Sequence, residues 1–192
     1  MTETAVMPSI DREALLVELV DEQGRAVGEC PVAEAHRAPG QLHRAFSVLL
    51  FDDEGRVLLQ QRAAAKTRFP LQWANTCCGH PAPGQSIPDA ARARLREELG
   101  LDTELTEAGV FRYRASDATT GRVEHEWDHV FIGDTSSPTP RPDPAEIAGL
   151  RWLDPAEVRT LLATDPRAFT PWLAPVLEIA DAAFRADTRR EH

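Results

Sequence analysis

The chain has 192 residues, with 21 Lys and Arg against 31 Asp and Glu, a formal net charge of -10 at pH 7. That length suits one domain with a full core and no staples, and the acidic balance excludes a surface built for nucleic acid or anionic lipid, so an anionic ligand needs a local basic cluster. Three cysteines, two of them adjacent at Cys77 and Cys78, make no disulfide framework, because neighbouring cysteines do not reach relaxed disulfide geometry. With no signal-like leader and no apolar run near the ~20 residues that cross a bilayer, a reducing, cytoplasmic setting is expected, with no membrane partner.

After a polar leader of about residues 1–12, "ALLVELV" and "RAVGEC" flank the turn-prone "DEQG" and predict a hairpin. "HRAFSVLLF" and "RVLLQQR" around "DDEG" predict a second, more apolar one, followed by a loop over residues 63–72. From Ser86 to Leu99 the pattern predicts a helix, with Ser86 and Asp89 as a variant capping box and Gly100 as the stop. Its Ile87, Ala91, Leu95 and Leu99 form the packing stripe, and Arg94 and Glu98 lie one turn apart beside it. "VFRYRAS" and "GRVEHEWDHVFIG" predict two strands around "DATT", "SSPTPRPDP" a surface connection and "GLRWL" a short strand. Asp154 and Pro155 open a further helix, and a last one is expected from Thr170 to about Arg185, before a tail of about 186–192. The order of elements predicts one α+β domain over 1–192, an α/β/α sandwich on a mixed sheet.

Glu124 and Glu126 are two apart on a predicted strand, so both carboxylates, and Asp128, share a face. Spacing alone favours that face meeting water, with Val123, His125, Trp127 and Phe131 inward. If the acids point inward, burial demands a cation, and His36, His43 and His80 could join them in a five-ligand shell for Mn²⁺, Zn²⁺ or Mg²⁺. Each histidine alone reads equally well as a surface or hydrogen-bonded residue. Cys78 stands beside Gly79 and near His80, so a thiol and an imidazole share one turn, whereas a pair of small core residues explains Cys77 and Cys78 as readily. Arg62, Lys66, Arg68 and Arg94 are the local cations that a diphosphate needs.

Together, "AHRAPGQLHRAFSV", "NTCCGHP", "RLREELGL", "FRYRA" and "VEHEWDHVF" resemble, in order, the motifs of the type I isopentenyl-diphosphate isomerases, divergent members of the Nudix superfamily. The Nudix box aligns from Gly79 to Leu101 but is degraded, with Gln85, Ala93 and Arg94 replacing Glu, Arg and Glu. Exchange of an acid for Arg94 favours binding a diphosphate over cleaving it. The resemblance implies His36, His43, His80, Glu124 and Glu126 as ligands of one divalent ion and Glu98 as a residue that helps to hold a diphosphate-bound Mg²⁺. It implies Arg62, Lys66 and Arg94 as diphosphate contacts. Cys78 is implied as the catalytic thiol, Glu126 as the opposing acid assisted by Tyr113, and Trp172 as the aromatic face toward the reacting carbons.

The partner so implied is a small prenyl diphosphate, on a monomer or weak homodimer. Other readings are a same-fold enzyme acting on a longer prenyl diphosphate, a Nudix hydrolase, or a binding module with a vestigial site. One departure concerns affinity. Val32 stands where a Lys is common four residues before the first metal-binding histidine, and Arg37, Arg44 or Arg68 is expected to substitute.

Overall fold

The computed structural model describes residues 11–135 and 139–188. Two Asp-x-x-Gly tetrapeptides make the first reversals. Asp21 Oδ1 accepts the N–H groups of Gln23 and Arg25, and Asp52 Oδ1 those of Glu54 and Arg56. Gly24 and Gly55 close the turns at φ of 74° and 76°, a region that glycine enters without a Cβ clash. The first turn joins β1 (Leu16–Val20) to β2 (Ala26–Pro31) as a full antiparallel hairpin.

The second joins β3 (His43–Phe51) to β4 (Val57–Arg62), but these arms pair only at Phe51 and Val57. The expected hairpin therefore holds at its turn and opens beyond it into a fork. Residues 73–79 fill the fork, with β5 (Trp73–Ala74) on β4 and β6 (Cys77–Gly79) on β3. The wedge is held by polar side chains where a ladder cannot reach. Thr76 Oγ1 donates to Leu58 O at 2.6 Å and accepts from Leu50 N at 2.9 Å, while Asn75 Nδ2 donates to Val48 O and Cys77 O. Backbone groups buried at the fork are thereby satisfied.

A single-turn helix, α1 (Val32–Ala35), follows β2 and was not foreseen from the sequence. Downstream, α2 (Ile87–Leu99) ends at Gly100 with φ 65°, as expected, but Ser86 makes no side-chain capping bond, so the capping box does not form. The long β7 (Thr106–Ser116) and β8 (Val123–Asp134) are antiparallel neighbours. Parallel pairing of β8 with β3, from His43 opposite Glu126 to Phe51 opposite Asp134, makes the sheet mixed. The strand β9 (Ile147–Leu153) closes on β4. Asp154 caps α3 (Pro155–Thr164) by accepting Ala156 N–H at 2.7 Å. The last helix, α4 (Leu173–Thr188), starts three residues later than expected and leaves Trp172 in the preceding turn.

Both sheet faces are covered, because β3 alternates between them. Phe46, Val48 and Leu50 pack with Leu95 and Leu99 of α2, whereas Leu49 and Phe51 pack with Val176 and Leu177 of α4. Each such side chain contributes about 1.5–3 kcal/mol by leaving water, so the expected α/β/α sandwich on a mixed sheet is what the two apolar layers build. Among the described residues no helix is long and apolar enough to cross a membrane. Most of the leader (1–10), residues 136–138 of the Pro-rich connection and residues 189–192 of the tail lie outside the described residues. The end of the leader is an ordered helical turn, Arg12–Ala14, whose Asp11 side chain accepts Glu13 N–H.

Candidate active site

The face of β8 carrying Glu124, Glu126 and Asp128 points inward, with the three residues 4, 8 and 0 % exposed. This overturns the expectation that His125 and Trp127 define the buried side, since both are only half-buried. The reason lies in the topology. β8 runs between β3 and β7 with both faces covered, so Val123 and Phe131 are buried as well and alternation no longer sorts apolar from polar.

Cations can meet these acids because three histidines arrive from separate elements. His36 ends α1, His43 opens β3 and His80 follows β6. Their ring centroids stand 4.6, 5.1 and 4.8 Å apart, and one ligand atom from each histidine and from Glu124 and Glu126 falls within 4.8 Å of the others. Opposite ligands of an ion at roughly 2.0–2.2 Å stand a little over 4 Å apart, so that spread suits one divalent ion.

Hydrogen bonding orients the donors. His36 Nδ1 lies 2.7 Å from Val32 O and His43 Nδ1 2.8 Å from Gln41 O. A carbonyl only accepts, so each Nδ1 carries a proton and Nε2 is the ring atom turned toward the carboxylates. His36 Nε2 and Glu124 Oε2 are 2.7 Å apart, yet both are buried without a hydrogen-bond partner, as is His43 Nε2. Imidazole nitrogens and carboxylate oxygens crowded together in the interior, without well-formed hydrogen bonds, fit a cation as their common partner.

Glu126 is the busiest carboxylate. Its Oε2 accepts Tyr113 Oη–H at 2.6 Å, and its Oε1 lies 3.0 Å from His80 Nε2 and 3.6 Å from His43 Nε2. Burial raises its pKa, but the two imidazoles outweigh burial and hold it well below the usual carboxylate range. Burial likewise drives His80 down to about 4. Tyr113 is pushed well above its ordinary value by burial and by Glu126, so the phenol keeps its proton.

A cleft of about 280 Å³ opens beside this corner, near the small end of ligand pockets, which run from ~300 Å³ upward. Cys78, Glu126, Tyr113 and Trp172 border it, as do Arg62, Lys66 and Arg94, with the Arg62 guanidinium 5.6 Å over the Trp172 ring. Burial pushes the Cys78 thiol up to about 11 against the pull of Arg62, whose Nη1 lies 3.8 Å from Sγ. Cys77 is fully buried on the α2 side of the sheet, and all three cysteines are free. The Trp172 ring is fixed by its Nε1–H on Asn75 Oδ1 at 3.0 Å, by Phe69 edge-on at 5.2 Å and by Tyr113 at 5.9 Å.

Arg62 ends β4, and its side chain is held by the loop over residues 63–72, donating to Arg68 O and Phe69 O. Phe69 and Leu71 hold φ of 47° and 63° there, a strained backbone costing about 1–2 kcal/mol per residue. Asp117 helps to hold it by accepting Phe69 N–H at 2.7 Å. Arg94 Nη2 meets Glu98 Oε1 at 2.5 Å and Glu146 Oε1 at 2.8 Å, while Lys66 pairs with Glu146 Oε2. Glu98 is taken up by Arg94 and Gln60 and does not border the cleft.

Of the expected stand-ins for a cation at position 32, Arg37 is exposed and does not border the cleft, and Arg44 is engaged by Glu18 and Gly24 O. Arg68 does border it but is shared between Glu13 and Glu124. Sequence reasoning missed Arg12 and Glu146, which complete the cationic wall. Neither sits in a motif, and the only available signal was that clustered cations such as Lys66 and Arg94 call for an acid nearby.

The NUDIX domain model matches residues 41–173. The isopentenyl-diphosphate Delta-isomerase of Nocardia farcinica is 74 % identical over 174 residues, covering 91 % of this chain and 99 % of that protein. The protein of the same name from Streptomyces avermitilis is 49 % identical, covering 90 % of this chain and 87 % of its own length. The chain belongs to the isopentenyl-diphosphate Delta-isomerase family, on a Nudix domain.

Solved structures agree on the fold. DR0079 from Deinococcus radiodurans superposes with a TM-score of 0.69 at 22 % identity, covering 85 % of this chain and 97 % of its own. A MutT protein from Methanosarcina mazei gives 0.59 at 15 % identity, covering 76 % and 95 %. Within the isomerase family the degraded Nudix box acquires a structural meaning. Arg94 is turned to the cleft, Glu98 lies behind it, and the carboxylates that gather the histidines come from β8 instead of α2.

Proposed function

We propose that this protein interconverts isopentenyl diphosphate and dimethylallyl diphosphate, with Cys78 and Glu126 as the two proton-transfer groups. The observation that carries the reading is their placement on one small cleft that Arg62, Lys66 and Arg94 also border. The diphosphate would lie against those cations, with Arg62 and Arg94 offering bidentate geometry. The five-carbon chain would then lie between the thiol, the Tyr113–Glu126 pair and Trp172.

Moving the double bond from C3–C4 to C2–C3 adds one proton at C4 and removes one at C2, through positive charge at C3. Groups on opposite sides of the chain exchange those protons: one gives its proton to C4 while the other accepts from C2, and reversal gives the back reaction. Both Cys78 and Tyr113 hold protons at neutral pH, since burial raises both. Glu126 connects Tyr113 to the histidine corner. Trp172 can stabilise the cationic carbon by about 2 kcal/mol in a dry site, and the buried ring also excludes the water that would capture it.

His36, His43, His80, Glu124 and Glu126 would hold one divalent ion, Mn²⁺, Zn²⁺ or Mg²⁺, which would supply a fixed positive charge beside the Glu126 carboxyl. A Mg²⁺ carried by the diphosphate would engage Glu98 as Arg94 turns to the phosphate. A reducing, cytoplasmic setting suits the three free cysteines.

The test is incubation of the recombinant protein with Mg²⁺ and isopentenyl diphosphate in D₂O, followed by NMR. The expected result is deuterium entry and formation of dimethylallyl diphosphate. Cys78→Ala and Glu126→Gln should each lower the rate by roughly 10²–10⁴-fold. Turnover of longer prenyl diphosphates alone, or release of phosphate without isomerisation, would overturn the reading.

A further inference from the structure

We propose that Arg12, in the helical turn ahead of β1, is a diphosphate-binding residue of this isomerase and supplies the cation that position 32 lacks. The inference rests on the isomerase reading above and adds a residue to it.

Arg12 and Val32 both border the cleft, as do Lys66 and Arg94. Arg12 Nε lies 3.1 Å from Glu146 Oε1, the same oxygen that Arg94 Nη2 meets at 2.8 Å, and Lys66 holds Oε2. Three cations therefore converge on one carboxylate at the rim of the site. Like charges gather this closely only around a shared anion, and a diphosphate, with several negative charges and more acceptor oxygens, offers all three a better partner.

The backbone of this turn is anchored while the Arg12 head group is exchangeable. Glu13, the next residue, accepts from Thr67 Oγ1 and from Arg68 Nη1 at 2.9 and 2.7 Å, and Leu15 O accepts Val32 N–H at 2.8 Å. The second partner of Arg12 is Glu97 at 2.9 Å, with the two side chains 41 % and 54 % exposed. An exposed pair of that kind contributes little and is easily traded for a ligand. The other arginines near position 32 lack this freedom, since Arg44 and Arg68 are each shared among buried or half-buried partners.

The experiment compares wild type, Arg12→Ala, Arg12→Lys and Arg25→Ala by calorimetric titration with inorganic pyrophosphate in Mg²⁺ and by steady-state kinetics on isopentenyl diphosphate. Arg25 pairs with Asp21 in the β1–β2 turn and does not border the cleft, so its variant is the control. Arg12→Ala should weaken pyrophosphate binding and raise KM by about 10-fold, with kcat within about 2-fold, the size expected for one part-exposed charge-assisted contact. Arg12→Lys should recover part of that loss. Unchanged pyrophosphate affinity in Arg12→Ala overturns the inference. So does equal loss in Arg12→Ala and Arg12→Lys accompanied by a lowered Tm, which would mark the turn as structural. A wild-type protein that binds pyrophosphate but does not isomerise overturns the isomerase reading instead, whatever the Arg12 variants do.

Discussion

The histidine corner and the cationic wall solve the same problem, charge out of water, in opposite ways. In the histidine corner, His36 Nε2, His43 Nε2 and Glu124 Oε2 are buried with no hydrogen-bond partner, held there by strands and by Nδ1 bonds to carbonyls. On the cationic wall, Arg12, Lys66 and Arg94 are all satisfied, by Glu146, Glu97 and Glu98, and they sit on a loop, a helix and the leader. A corner with unpaired donors is built to keep an ion, and a wall of paired cations is built to exchange an internal anion for an arriving one.

The largest expected effect follows from breaking the corner. Glu124→Gln keeps the shape but removes the charge that faces His36 and Arg68. Divalent-ion affinity, by titration of Mn²⁺ or Zn²⁺ into chelator-treated protein, should fall by roughly 100-fold or more, beyond the 10–100-fold typical of losing a group that merely supports a ligand. In the wild type, chelation should lower Tm and added ion should restore it, because the ion binds only the folded chain. A Tm indifferent to metal would show that the corner is satisfied by protons instead, and the contrast with the wall would collapse.

The wall should show its own signature in acid. Burial raises the pKa of Glu146, but Lys66 and Arg94 outweigh it and hold the carboxyl down at about 2. A depressed carboxylate stabilises the fold fully above its ordinary value of 4.5 and loses that contribution as pH falls toward 2. Glu146→Gln should therefore lower Tm near neutrality, and the gap from wild type should narrow between about pH 5 and pH 2 as the wild-type carboxyl takes up its proton. Metal affinity should not change. A gap constant across that range would mean that Glu146 acts by packing and not by charge.

The corner was more legible than the wall, for a physical reason. Apart from His36, which ends α1, its residues lie in strands or at strand ends, where a period of two and short turns tie sequence position to direction. Spacing alone puts Glu124 and Glu126 on one face and sets His80 in the same turn as Cys78. What could not be read was which face of β8 is inside, because a central strand covered on both sides buries Val123 and Phe131 along with the acids. The fork between β3 and β4 was hidden for a related reason. The turn at Asp52 is local, whereas the insertion of residues 73–79 depends on Thr76 and Asn75 reaching backbone groups about 18 to 27 positions away. The wall joins residues 12, 66, 94 and 146 with no shared period, and although Lys66 and Arg94 were named by the resemblance, Arg12 and Glu146 belong to no motif and meet them only through the fold.

The smallest effect separates the two neighbouring cysteines. Strand alternation in β6 sends Cys77 into the α2 layer with Phe46 and Leu95, fully buried, and leaves Cys78 on the cleft beside Arg62. Burial lifts the Cys77 thiol well above its ordinary value, so it is inert as well as inaccessible. Cys77→Ala should cost about 1 kcal/mol of stability, the lower range for a small core truncation, and leave kcat/KM within about 2-fold. A thiol reagent of modest size should label Cys78 in the folded protein and spare Cys77, with prior binding of pyrophosphate slowing the label because both occupy one cleft. If Cys77→Ala lowered turnover as far as Cys78→Ala, the wedge between β3 and β4 would have to act as one catalytic unit, and the division between a packed side and a reactive side of β6 would fail.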